Sequence, residues 1–112
     1  MRRTLGIAAA IGTTAVLLLA GGAAGKGKKT VDVGDDFFAP KSLQVKKGTR
    51  VAFDWIGTNE HDVAKGKGPG KFFNSGPTDE PGVNFTKKFK KKGKYKLICT
   101  LHPDMTMKLK VK

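Results

Sequence analysis

Cysteine and histidine are almost missing from this chain: its 112 residues hold one cysteine, Cys99, and two histidines, His61 and His102. A lone thiol excludes an internal disulfide framework. It also excludes lipid attachment at a leader cysteine, because Cys99 lies far from the N-terminus. Two histidines are too few to equip a second metal centre beside a first, and no Ser/His/Asp set is evident. The chain is therefore not read as an enzyme. Acidic residues are scarce too, with nine against 22 Lys and Arg for a formal charge of +13. Such a charge favours acidic proteins, anionic polymers or lipid headgroups as neighbours. It does not by itself indicate nucleic acid. No internal repeat and, after residue 25, no amphipathic helical stretch is present.

The length allows one domain and an export segment. Arg2 and Arg3 precede an apolar stretch over residues 5–20, and Gly22, Ala23 and Ala24 form a cleavage site of small residues. Residues 5–25 carry no charge over 21 positions, long enough to span a bilayer if left uncut. Residues 1–24 are thus read as a helical signal peptide or an N-terminal membrane anchor. The paired arginines match a twin-arginine signal weakly. Residues 25–29 form a basic flexible linker, and residues 30–112 the domain. Cutting after Ala24 removes two arginines and no acid, which lowers the charge from +13 to +11. The remainder is a small domain with little stability to spare, to which a bound metal would add. In an oxidising compartment a single free cysteine is either a liability or a ligand.

From Thr30 onward apolar residues alternate in short runs broken by Gly and Pro. Val31 and Val33 form one run, Leu43 and Val45 another, and Val51, Phe53 and Trp55 a third. His61, Asp62 and Val63 open a short strand. Val83, Phe85 and Phe89 share a parity, as do Tyr95, Leu97 and Cys99, then Met107, Leu109 and Val111. This period of two predicts an all-β fold, an antiparallel sandwich. Residues 64–81 read as a surface loop anchored by Phe72 and Phe73.

Cys99, Thr100, Leu101, His102, Pro103, Asp104 and Met105 place a thiolate, an imidazole and a thioether close together, with His61 far upstream. A His₂Cys set with a weak axial Met is the combination that holds an electron-transfer copper. Tyr95, Leu97 and Cys99 share a face, so Cys99 points inward if the other two do. Pro103 then forces a turn, which brings His102 and Met105 back toward Cys99.

Phe37 to Pro40, Leu43 to Thr49, Val51 to Trp55 and Asn59 to Val63 resemble the first half of a cupredoxin, a small blue-copper protein. Phe89, Gly93 to Tyr95 and Cys99 to Met105 resemble its second half. The short loop is closer to amicyanin than to plastocyanin. The resemblance implies an eight-stranded Greek-key sandwich with one type 1 copper ion. In it His61, Cys99 and His102 would be the strong ligands and Met105 the axial one. A plastocyanin-like count would choose Met107 instead. Asp62 stands where the family usually has Asn, and Leu101 where Pro is common; a carboxylate cannot donate unless protonated.

The function implied is single-electron transfer between redox partner proteins, acidic ones included, by an exported monomer. It would be periplasmic, extracellular or tied to the outer face of the cytoplasmic membrane. A copper-delivery module, or a metal-free basic sandwich adhering to anionic polymers, remain alternatives. His102 would present its outer edge to solvent within an apolar rim of Leu101, Pro103 and Pro40. Seven lysines between Lys87 and Lys96 surround the Gly93 turn, about 20 Å from Cys99 at ~3.3 Å per strand residue. They either orient the protein or merely solvate a hairpin.

Overall fold

The computed structural model describes residues 27–112; residues 1–24, read above as a signal peptide or membrane anchor, lie outside them. Eight strands follow in order: β1 (Lys28–Gly34), β2 (Phe37–Ala39), β3 (Ser42–Val45), β4 (Thr49–Trp55), β5 (Ala64–Lys67), β6 (Gly82–Phe89), β7 (Gly93–Cys99) and β8 (His102–Val111). They form two four-stranded sheets, β2-β1-β4-β6 and β3-β8-β7-β5. The all-β sandwich is as the alternation predicts. It is not wholly antiparallel: β1 pairs with β4, and β3 with β8, in parallel. Between β1 and β4 the chain crosses to the other sheet at β3, and it returns running in its original direction.

Alternation puts one face of each sheet inside. Val31, Val33, Val51, Phe53, Leu97, Leu109 and Val111 are all buried between the layers. Each such side chain contributes about 1.5–3 kcal/mol of burial free energy before the entropy of ordering is subtracted. Phe73, Phe85, Phe89 and Tyr95 extend the core as a chain of ring contacts 5.2–6.1 Å apart. Lys87 lies over the Phe73 ring at 4.7 Å, so one lysine of the basic run covers an aromatic face.

Five local readings are corrected. Val83 is exposed although it shares a parity with Phe85 and Phe89. The register with β4 slips between Phe53 and Asp54, so Phe53 faces Phe85 while Asp54 faces Val83. The slip turns Val83 outward. A strand, β5, lies within the expected surface loop. His61 precedes it as an isolated bridge to Thr78 rather than opening it. Of the two loop anchors, Phe73 packs on the core while Phe72 is exposed. Lys28 and Lys29, assigned to the linker, already pair with Arg50 and Val51 in β1.

Candidate metal centre

Strand direction gathers the site at one pole of the sandwich. Cys99 ends β7, buried on the same inward face as Tyr95 and Leu97. The chain turns at Thr100 and Leu101, and β8 opens with His102 directly opposite Cys99. The hairpin thereby sets His102 Nδ1 3.5 Å from Cys99 Sγ. His61 arrives from the segment between β4 and β5. Its backbone N–H and C=O bond Thr78 at 3.1 and 3.0 Å, and its carbonyl also accepts the indole N–H of Trp55 at 3.2 Å. The His61 ring is fully buried, with its Nδ1 3.2 Å from His102 Nδ1. One donor atom from each of His61, Cys99 and His102 falls within 4.8 Å of the others. The three residues singled out by sequence are brought together.

The outer ring nitrogens meet two carboxylates that sequence reasoning missed. Asp35 and Asp36 form the tight turn between β1 and β2, and Asp36 takes the left-handed φ of 69° that Asp tolerates better than most residues. Asp35 Oδ1 lies 3.0 Å from His61 Nε2, and Asp36 Oδ1 lies 3.4 Å from His102 Nε2. Asp35 is itself fixed by the backbone N–H groups of Thr58 and Asn59 and by the Thr58 hydroxyl. Residue 57 must be glycine for this nest, since a Cβ there would sit 2.3 Å from Asp35 Oδ1. The His61 hydrogen bond, followed by those from Asn59 and Thr58, holds the Asp35 carboxyl far below the usual carboxylate range. His102 is half-buried, so its outer edge faces Asp36 as well as solvent.

A carboxylate only accepts, so Nε2 of His61 donates to Asp35 and leaves a lone pair on Nδ1. The Asp36 charge favours the same tautomer on His102. With the proton on Nε2 of both rings, two lone pairs would face each other at 3.2 Å beside a sulfur. That is poor packing for the polypeptide alone and a good fit for a cation with affinity for imidazole and thiolate. Burial pushes the Cys99 thiol up, only partly offset by the N–H groups of Asp62 and Leu101. At neutral pH the metal-free thiol is therefore protonated, and metal binding must displace that proton. Copper affinity should rise roughly tenfold per pH unit on this account, up to the raised thiol value. Proton release in calorimetry with buffers of different ionisation enthalpy checks it.

Asp35→Asn leaves an oxygen for the backbone donors but removes the negative charge that faces the His61 ring. Outer-sphere partners of this kind are worth about 10–100-fold in metal affinity. Competition with a colorimetric copper chelator should show a loss of that size. Unchanged affinity would mean that the Asp35–His61 contact is not felt at the metal.

Asp62 does brace the cysteine loop, as an acceptor. Its Oδ1 takes the Thr100 N–H at 2.6 Å, its Oδ2 takes the Thr100 hydroxyl, and Asn74 Nδ2 donates from 3.3 Å. Burial pushes this carboxyl up, but the Thr100 and Asn74 bonds outweigh it and leave a net lowering. Its backbone N–H points at Cys99 Sγ from 3.5 Å. An ionised Asp thus fills the position without needing to donate.

Met105 and Met107 are both buried. Met107 sits in the regular ladder opposite Leu97. Met105 lies in the irregular stretch between His102, opposite Cys99, and Thr106, opposite Ile98. Leu101, Pro103 and Pro40 are exposed, as an apolar rim requires.

A sandwich that gathers a buried imidazole, a half-buried one and a buried thiol at one pole, each imidazole backed by a carboxylate, has the build of a cupredoxin, a copper-binding electron-transfer protein. The chain belongs to the plastocyanin/azurin family of copper-binding proteins, whose family model matches residues 25–112. Among solved structures it is similar to a reduced amicyanin variant (TM-score 0.66, 24% identity, covering 74% of this chain and 80% of that one). It is likewise similar to a purple cupredoxin from Nitrosopumilus maritimus (TM-score 0.65, 23% identity, 74% and 98% covered). A copper-containing nitrite reductase from Thermus scotoductus SA-01 matches at TM-score 0.64 and 24% identity, but the match covers 74% of this chain and only 22% of the reductase. No curated protein matches.

Proposed function

We propose that this chain is an exported type 1 copper protein that shuttles single electrons between redox partner proteins, with His61, Cys99 and His102 as strong ligands and Met105 as the axial one. The observation that carries this reading is the convergence of His61 Nδ1, His102 Nδ1 and Cys99 Sγ at one pole, with His61 and Cys99 buried and His102 half-exposed. Copper, when bound, supplies the Cu(II)/Cu(I) couple; thiolate favours the reduced ion and imidazole serves both. The chain's own residues hold that donor set rigid. Trp55 and Thr78 fix the His61 backbone, Asp35 fixes its ring, and Asp62 fixes the turn after Cys99. A frame that moves little between oxidation states lowers the cost of reorganisation. Electrons would leave at the half-exposed His102 edge, within the rim of Leu101, Pro103 and Pro40, through a weak and fast-exchanging contact.

The family background and the uncharged run in the leader support export, with the domain free or tied to the outer face of the cytoplasmic membrane. Both histidines are taken up by the one copper site, so no second copper centre of the reductase kind is proposed.

The second reading, copper delivery, uses the same ligands and is favoured by the exposure of His102. A chelator challenge separates the two. The carrier should retain copper through repeated cycles of ascorbate reduction and reoxidation, whereas a delivery module should lose it within the first. The axial ligand is tested by Met105→Gln, whose harder oxygen should lower the reduction potential. Met107→Leu should leave the potential unchanged. A shift with Met107→Leu alone would assign Met107 instead.

A further inference from the structure

Charge is sorted along the sandwich. All nine acidic residues fall in residues 32–36, 54–62, 79–80 and at 104. These are the metal-side ends of β1, β4, β6 and β8 and the segments that join them to the site. Lysine and arginine crowd the opposite pole. On one sheet Lys28, Arg50 and Lys88 form an exposed cross-strand row. On the other, Lys94 faces Lys110 and Lys96 faces both Lys108 and Lys67. The turns at this pole add Lys46, Lys47 and residues 90–92.

Like charges directly opposite each other in a sheet are destabilising. Among the described residues no carboxylate lies within ion-pair distance of a lysine or arginine, and the two that pair at all face histidines, so no acid offsets these rows. Lysines are also used to stop edge strands from aggregating. That role does not account for Lys94, Lys96, Lys108 and Lys110, which lie on β7 and β8, the two central strands of their sheet. The fold thus tolerates repulsion at a face that has no structural use for it.

We propose that this basic pole docks on an anionic lipid surface, with the metal pole turned away toward the aqueous phase. The occupant is chosen by where the chain enters the domain. The 21 uncharged residues at positions 5–25 lead through Lys26 and Gly27 into Lys28, the first residue of β1 and a member of the basic row. A bilayer that receives the apolar run therefore meets this pole first. Clustered basic side chains beside such a segment bind acidic headgroups electrostatically, within a Debye length. In this pose His102 lies about 20 Å above the headgroups, given ~3.3 Å per residue along β7, and stays free for a partner. The proposal goes beyond electron transfer and does not depend on the copper reading.

The test reconstitutes the full chain with vesicles of phosphatidylcholine alone or mixed with phosphatidylglycerol. A water-soluble acylating reagent then labels the lysines, and mass spectrometry reads the rate at each. Lys46, Lys47, Lys90 and Lys94 should label several-fold more slowly when phosphatidylglycerol is present. High salt should abolish the difference. A variant with Lys94, Lys96, Lys108 and Lys110 replaced by Gln, which relieves repulsion and should fold, should lose the protection at Lys46 and Lys90. Equal rates in the two lipids would overturn the proposal. So would protection that the four substitutions leave intact, or protection given by soluble polyglutamate and not by vesicles. Copper need not be bound, so failure here is separate from failure of the copper site.

Discussion

Cys99→Ser will remove the intense visible colour of the copper-loaded protein while leaving the fold in place. The colour of a type 1 centre needs a sulfur-to-copper charge transfer, and Cys99 is the sole cysteine in the chain. Its Sγ is buried beside both imidazoles, so no other donor can take its place. Copper affinity should fall by more than the ~10–100-fold that an outer-sphere contact is worth, because a primary ligand is lost. Serine is smaller by little, and the Asp62 N–H, 3.5 Å from the sulfur, is placed to donate to its hydroxyl. A buried hydroxyl left without a partner would cost about 1–3 kcal/mol, so the melting temperature of the metal-free protein should change modestly. Absorption spectroscopy and a chelator competition give the first result, and thermal unfolding without copper gives the second. An intense band that survived the substitution would refute the site.

Phe53→Ala should have the opposite signature, a large loss of stability with the copper chemistry intact wherever the protein remains folded. Phe53 is fully buried in the middle of β4, flanked in register by Val31 of β1 and Phe85 of β6, with its ring 5.7 Å from that of Phe85. Truncating a buried Phe costs about 3–5 kcal/mol, transfer and cavity together. A small domain has roughly 5–15 kcal/mol in all, so the change consumes a large share. Urea unfolding of the metal-free protein measures it directly. Copper should restore part of the midpoint by mass action, because it binds the folded state. A loss below about 1 kcal/mol, the centre of the range for ordinary substitutions, would mean that the two sheets do not close on this ring.

Much of this architecture is legible in the residues alone, for an identifiable reason. Val31 and Val33, Tyr95 to Cys99 and Met107 to Val111 each obey the period of two because both sheets bury one face only. The same rule fails at Val83, where a register slip against β4 inverts the side-chain direction. It is blind to β5, whose Ala64, Lys65, Gly66 and Lys67 offer no alternating apolar set and whose pairing is made by backbone groups. At the metal pole the ligand types and their spacing are visible in sequence, since Cys99 and His102 are near neighbours. Asp35 and Asp36 are not. An Asp-Asp pair in a tight turn looks like turn chemistry, and its contacts with His61 and His102 exist only once the strands are assembled. Asp62 is intermediate: its place is legible, but its role as acceptor depends on the N–H and hydroxyl of Thr100 being there to donate.

The most direct measurement is the optical and electron paramagnetic resonance spectrum of the full chain loaded with one equivalent of Cu(II). Two imidazoles and one thiolate closing on a single ion in the sandwich should give a strong visible charge-transfer band. The copper hyperfine splitting should be unusually small, and ascorbate should erase both signals reversibly. A pale complex with the wide splitting of ordinary nitrogen- and oxygen-bound copper would show that Cys99 does not ligate, and the account would fall.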